Sequence, residues 1–238
     1  MRWDMHRLGD SGSLFFQGKR APYHQITVPL TNLFRVQVCF LYLKNVLSLP
    51  LTPEIIEPCI RRFSKNPKGK LLKADFEKVI DVSFSGKNIT NIDPLVKLTS
   101  VKNVSLIDNQ IKNLGPLASL KNLGSLQLQG NKIATLKPLS DLTTLKRLNL
   151  SRNQIKNIAP LANLINLEWL NLISNNVTDL SALAKMTELR WLGLNYNSIT
   201  DLKPLRGLKQ LKALMVKGNP HLDDLEVEEL EELLPNCK

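Results

Sequence analysis

Asparagine recurs at a fixed interval of 22 residues through most of this 238-residue chain. The residues that keep this spacing are Asn109, Asn131, Asn153, Asn175, Asn197 and Asn219. One interval earlier the chain has Lys87, although the surrounding pattern VIDVSFSGKNITNI is kept. A fixed period of this length is typical of chains that stack one structural unit on the next, so it restricts the fold more than any other feature.

Apolar residues keep fixed positions around each of these asparagines. The unit around Asn131 has Leu123, Leu126 and Leu128 before it and Ile133 and Leu136 after it. Its pattern, LxxLxLxxNxI, continues over seven units without insertion and is the leucine-rich repeat signature. In LxL the two leucines share one side of a short strand, while the neighbouring residues face the other way.

The repeats therefore predict an α/β solenoid, a right-handed leucine-rich repeat arc with a parallel β-sheet on its concave face. Strands about 4.8 Å apart would give seven units a sheet roughly 30 Å across. Each asparagine is expected to satisfy backbone groups where the chain leaves the strand. Proline follows most asparagines by seven positions, which predicts one turn of helix or 3₁₀ helix on the convex side.

The ends of the repeat array carry helical patterns, and these divide the chain into four segments. Residues 1–51 are an unassigned extension, expected to be disordered or to precede the true start. Residues 52–78 form a helical N-terminal cap, with Thr52 as helix N-cap and Ile56, Ile60 and Phe63 at helical spacing. Residues 79–219 are the seven repeats, and residues 220–238 are a helical C-terminal cap. Its core-closing residues are expected to be Leu225, Leu230 and either Leu233 or Leu234.

Composition and motifs argue against catalysis. The formal net charge is +11, although the last eighteen residues are acidic. The apolar stretch VQVCFLYLKNVLSLPL is interrupted by Lys44 and is too short to cross a bilayer. Cys39, Cys59 and Cys237 are widely spaced, and no catalytic motif surrounds the three histidines. We expect a non-enzymatic protein without cofactor or metal, with membrane contact only through the N-terminal extension.

The predicted concave face changes character along the repeats. The first units place small polar residues there, whereas later units place tryptophan, isoleucine and methionine. Clustered exposed apolar side chains mark contact sites, and tryptophan is enriched at binding hot spots. The predicted partner-binding residues are Trp169, Trp191, Asn171, Ile173, Tyr196, Met215, Arg147, Asn149 and Asn195. Gly193 is expected to leave a hollow beside the tryptophan rings.

Other interpretations remain open at this stage. The rings could lie flat on their neighbours and only stabilise the sheet by cross-strand packing. Nucleic acid is disfavoured because Arg147 and Lys217 are the basic residues among the 21 predicted concave positions. A protein partner is preferred to a glycan. The rival function is a structural or tethering role in which the basic N-terminus docks on an acidic or membrane surface.

The repeats resemble a known family. PLANLINLEWLNLISNNVTDL and PLASLKNLGSLQLQGNKIATL are similar to the 22-residue repeats of bacterial internalin-type proteins. The front segments NPKGK and KADFEKV resemble that family's helical cap, and the ending LLPNCK resembles its last segment. The resemblance covers residues 51–238 and implies protein recognition at a secreted or cell-surface location, although no clear signal peptide is present. Eukaryotic phosphatase regulators with 22-residue repeats are a second, weaker resemblance because they usually lack the PLA segment.

Overall fold

The fold is described from a computed structural model, which describes residues 3–8, 13–18, 27–29, 49–50, 53–234 and 236–237. The chain divides into two compact units, Met1–Leu47 and Ser48–Lys238. In the first unit, strands β1 (Trp3–Leu8), β2 (Ser13–Gly18) and β3 (Thr27–Pro29) form an antiparallel sheet in the order β1-β2-β3. Thr52, the expected helix N-cap, and most of the apolar stretch that ends at Leu51 lie outside the described residues.

The second unit contains the predicted parallel sheet. Its strands are three residues long and are β5 (Asp81–Ser83), β7 (Asn103–Ser105), β8 (Ser125–Gln127), β9 (Arg147–Asn149), β10 (Trp169–Asn171), β11 (Trp191–Gly193) and β12 (Ala213–Met215). They lie in the order β12-β11-β10-β9-β8-β7-β5, and each pairs in parallel with its neighbour. Residues 22 apart are direct partners, as in Leu170 with Leu148 and Leu192, so the sequence period sets the register.

A smaller parallel pairing lies beside this sheet. Strand β4 (Leu49–Pro50) pairs with β6 (Ile89–Asn91), with an irregularity between Leu49 and Pro50. The predicted convex turns are 3₁₀ helices, at Asp93–Lys97, Gly115–Ser119, Lys137–Leu139, Ala159–Leu161, Ser181–Leu183 and Lys203–Leu205. The turn is kept where alanine replaces proline at Ala182. There Asp179 accepts hydrogen bonds from the backbone N–H and the hydroxyl of Ser181.

Three α-helices flank the repeats in the described part of the chain. Helix α1 (Pro53–Ser64) and helix α2 (Lys73–Glu77) precede β5, and α3 (Asp224–Leu233) follows β12. Ile56 and Ile60 of α1 and Leu230 of α3 are buried in the same hydrophobic core as the repeat leucines, and so is Leu234. The expectation for Leu225 is wrong, because its side chain is 65% exposed, and Leu233 is exposed as well. These contacts support the proposed cap roles of the helical segments. None of the described helices has the length and apolar character that a bilayer crossing requires.

The asparagine column lies inside the turns, as predicted. Asn175 donates from Nδ2 to the carbonyl oxygens of Leu172 and Leu150, at 3.0 Å each. Its Oδ1 accepts the backbone N–H of Ile155 at 3.0 Å. Leu150 and Ile155 belong to the preceding unit, so one amide bonds two successive turns. The same pattern recurs at Asn109, Asn131, Asn153, Asn197 and Asn219.

Candidate functional site

The tryptophans of two neighbouring strands form a stacked pair on the solvent side of the parallel sheet. Trp169 of β10 and Trp191 of β11 are register partners, and their neighbour Leu170 is fully buried on the opposite side. The ring centroids are 4.5 Å apart and the ring planes differ by 12°. This distance is close to the spacing of adjacent strands, so the sheet itself sets the stack. Both rings remain half-buried.

Three further apolar side chains of these repeats are also open to solvent. Ile173 is half-buried near the end of β10, Met215 of β12 is 40% exposed, and Tyr196 is 58% exposed. We call the set of Trp169, Trp191, Ile173, Tyr196 and Met215 the aromatic patch. Solvent exposure of side chains this large is unusual beside a core in which the leucines of the same strands are fully buried.

The expected hollow at Gly193 is wrong. A Cβ built on Gly193 would lie 2.6 Å from Cη2 of Trp191 and 3.0 Å from Cδ1 of Ile173. The space that the missing side chain leaves is therefore filled by the Trp191 ring. Gly193 is needed because the ring lies directly on its backbone, and the patch is flatter than the sequence suggested.

The asparagines predicted to contact a partner divide into two groups. Asn171 accepts the backbone N–H of Ile173, and Asn195 accepts that of Lys217, both through Oδ1. Their Nδ2 groups make no hydrogen bond to the described residues, so each keeps a donor for a ligand. Both side chains are half-buried at the border of the aromatic patch.

Asn149 differs from the expectation that it faces outward. It is only 7% exposed, and its Oδ1 accepts hydrogen bonds from both the N–H and the hydroxyl of Ser151. Its Nδ2 donates to Oε1 of Gln129 in the neighbouring strand segment. The side chain is thus committed to the sheet and is not available to a partner. Arg147, in the same strand, is exposed and lies in register with Trp169.

A cluster of charge borders the aromatic patch on the side where the strands begin. The Lys146 Nζ and Glu168 Oε1 atoms are 2.9 Å apart. The pKa of Glu168 is lowered, first by this hydrogen bond and the charge of Lys146, and further by the charges of Arg190 and Arg147. Glu168 is therefore ionised in a positive field, which identifies this border as basic.

A second concavity, which the sequence did not reveal, lies between α1 and the first repeats. It has a volume of about 650 Å³ and combines helix residues such as Cys59 and Phe63 with strand residues such as Ser83, Ser105 and Gln127. Burial raises the pKa of the Cys59 thiol despite the opposing charge of Arg62. Because these residues come from distant parts of the chain, no local pattern indicates the pocket.

Comparison with known proteins identifies the class of this fold. Models for leucine-rich repeats match residues 143–199 and, as two copies, residues 187–232. No curated protein sequence matches the chain. The chain is a leucine-rich repeat protein, built from stacked 22-residue units around a parallel sheet.

Comparison with solved structures shows which leucine-rich repeat proteins the chain resembles. The chain is 28% identical to internalin C2 of Listeria monocytogenes, with a TM-score of 0.62, over 76% of this chain and 89% of that chain. It is 28% identical to internalin F of the same organism, with a TM-score of 0.55, over 69% of this chain and 55% of that chain. Its repeats are similar to those of these internalins.

A plant receptor shares the fold over a shorter stretch. The Arabidopsis receptor kinase HAESA, solved in complex with a peptide hormone and a co-receptor, is 28% identical with a TM-score of 0.53. The match covers 59% of this chain and 26% of that chain. Within the described part of this chain, no group of His, Cys, Asp and Glu side chains is arranged to hold a metal ion.

Proposed function

We propose that this chain is a non-enzymatic recognition module that binds a protein partner through the aromatic patch. The observation that carries the proposal is the stacked, half-buried pair Trp169 and Trp191 on the open side of the sheet. The core does not require these side chains, since fully buried leucines already fill the opposite side of each strand. Large aromatic anchors on an open surface are typical of binding hot spots.

The kinship of the repeats supports this role. Leucine-rich repeat proteins, including internalins and receptor kinases, mediate protein–protein interaction, and the internalin-like family is generally non-enzymatic. HAESA, solved with a peptide hormone and a co-receptor, provides an example of the shared fold in a complex.

The polar groups around the aromatic patch suit a protein ligand. Asn171 and Asn195 present amide donors that can bond backbone carbonyl oxygens, and Arg147 presents a guanidinium group that can bond carboxylates. These groups surround an apolar centre, which is the usual arrangement of a protein interface. Stacking of the two rings also lowers the entropy cost of binding because it holds both rings in place before contact.

Affinity capture with matched variants tests the proposal. Immobilised wild type is compared with the double variant Trp169→Ala/Trp191→Ala and with Val96→Ala/Ile165→Ala, which removes exposed apolar side chains outside the patch. We expect partners retained by the wild type and the control to be lost by the tryptophan variant. Equal capture by all three proteins would contradict the proposal. If capture instead requires residues 1–47, the tethering function replaces it.

A further inference from the structure

The border of the aromatic patch carries more positive charge than the acidic side chains beside it neutralise. Lys146, Glu168, Arg190 and Lys212 hold equivalent positions in four successive repeats, directly before β9, β10, β11 and β12. Arg147 begins β9, and Lys217 follows β12. We call Lys146, Arg147, Arg190, Lys212 and Lys217 the basic border. All five are exposed.

Glu168 neutralises only part of this charge. Its carboxylate is bonded to Lys146, and among the described residues Arg147, Arg190, Lys212 and Lys217 form no ion pair with a carboxylate. Arg152, the next arginine in the chain after Arg147, does have a carboxylate partner, since its Nη2 lies 3.4 Å from Asp108 Oδ1. Four cations without a carboxylate partner in the described part of the chain therefore lie beside the aromatic patch, where they face a ligand that lies on it.

The charges and the apolar centre together define the chemistry of the occupant. Guanidinium groups bind carboxylates in a bidentate geometry, and complementary charge sets both specificity and association rate. Apolar side chains of the occupant would cover the tryptophan stack, while its acidic side chains reach Arg147 and Arg190. The Nδ2 groups of Asn171 and Asn195 remain for its backbone carbonyls.

Resting on the proposed function, we propose that the partner presents an acidic peptide segment, in which an aromatic or aliphatic anchor is flanked by Asp or Glu. A nucleic acid base cannot insert between Trp169 and Trp191, because their ring centroids are only 4.5 Å apart. The concave positions of the first three repeats contain one charged residue, the acidic Asp81, so no basic stripe continues along the sheet for a phosphate backbone.

Selection from a random dodecapeptide display library tests the chemistry directly. The full chain is the bait, and peptides are scored by their loss on the Trp169→Ala/Trp191→Ala variant. We expect the patch-dependent peptides to be enriched in Asp and Glu beside an aromatic or aliphatic residue. Patch-dependent peptides without acidic enrichment overturn this inference and leave the proposed function intact. A selection that yields no patch-dependent peptide contradicts the proposed function itself.

A charge-reversal series distinguishes the effect of the basic border on binding from the effect of the protein's net charge. With one selected peptide, the variant Arg147→Glu/Lys212→Glu should raise the Kd by about 10-fold or more. The control Lys137→Glu/Lys156→Glu makes the same change in net charge at exposed lysines away from the patch and should leave Kd within about twofold. Equal losses for both variants would overturn the inference. Stronger, tryptophan-dependent binding of a single-stranded oligonucleotide that displaces the peptide would assign the patch to nucleic acid instead.

Discussion

The indole of Trp191 lies on the backbone of Gly193, two residues further along the same strand. A Cβ at Gly193 would come within 2.6 Å of Cη2 and 2.9 Å of Cζ3 of that ring. The glycine therefore makes room for the far edge of the ring, while the face of the ring stacks on Trp169 from the neighbouring strand. The geometry of the aromatic patch thus depends on a residue that has no side chain.

Replacing this glycine tests that dependence. In Gly193→Ala the added methyl group should push the Trp191 ring away from the sheet and weaken its stack with Trp169. Overpacking of this kind costs about 1 kcal/mol, less than a core truncation, because only the far end of a side chain must move. Near-ultraviolet circular dichroism should show reduced coupling between the two indoles. An unchanged spectrum would contradict the placement of the ring. Gly207→Ala, where the nearest atom is 3.9 Å from the added Cβ, is the control.

The energy of the tryptophan stack can be measured with a double-mutant cycle. Trp169→Ala and Trp191→Ala should each lower the free energy of unfolding modestly, and the coupling energy should be about 0.5–1.5 kcal/mol. Urea denaturation of the wild type, both single variants and the double variant gives this value. A small coupling energy would mean that the stack contributes little to stability, as expected if the rings serve binding. A coupling well above this range would favour a mainly structural role for the pair.

Truncation of a buried asparagine should be costly. In Asn175→Ala the backbone N–H of Ile155 and the carbonyl oxygens of Leu150 and Leu172 lose their partner inside the turn. We expect a loss of about 3 kcal/mol in the free energy of unfolding, since unsatisfied buried groups keep their desolvation cost. Asn166→Ala is the matched control, because Asn166 is exposed and donates one hydrogen bond to Thr143. Similar denaturation midpoints for the two variants would contradict this account.

Acid should destabilise the segment around α2 through Asp75. This buried carboxylate accepts the backbone N–H of Leu72 at 2.9 Å, which is the main cause of its lowered pKa, and Asn66 and Lys78 contribute further. Because the folded-state pKa lies below the unfolded value near 3.8, the stabilisation is present above that value. It is lost as the pH falls through the folded-state pKa.

The variant Asp75→Asn isolates this contribution. At pH 7 it should melt at a lower temperature than the wild type, because the charge-assisted bond to Leu72 becomes a neutral one. The difference in melting temperature should begin to narrow below the unfolded-state pKa near 3.8, where the unfolded carboxyl takes up a proton, and should continue to narrow as the pH approaches the lower folded-state pKa. Melting curves from pH 7 to pH 3 give this comparison. A difference in melting temperature that does not change with pH would mean that Asp75 is not responsible for the loss of stability in acid.

Residue spacing was sufficient to predict the repeat fold but only part of the candidate site. Leu170 and Trp169 could be assigned to opposite sides because strand alternation depends only on position. The Trp191 side-chain conformation and the burial of Asn149 depend on the particular side chains at variable positions of the same and the preceding unit, which the repeat period does not specify. Gln129 and Ser151 capture Asn149, whereas the equivalent Asn171 keeps a free donor. The pocket at Cys59 was missed because it joins segments far apart in sequence.

The asparagine bonds give the repeat array a direction. Asn197 bonds the backbone at Leu172 and Val177, which precede it, and Asn219 in turn bonds Leu194 and Ile199. Each unit therefore depends on the asparagine of the unit that follows it. Removing units from the C-terminal side leaves the backbone groups of the new last turn without these hydrogen bonds. A transplantable module runs from one asparagine to the next rather than from strand to strand. Any engineered shortening or lengthening of this protein should place its joints by that rule.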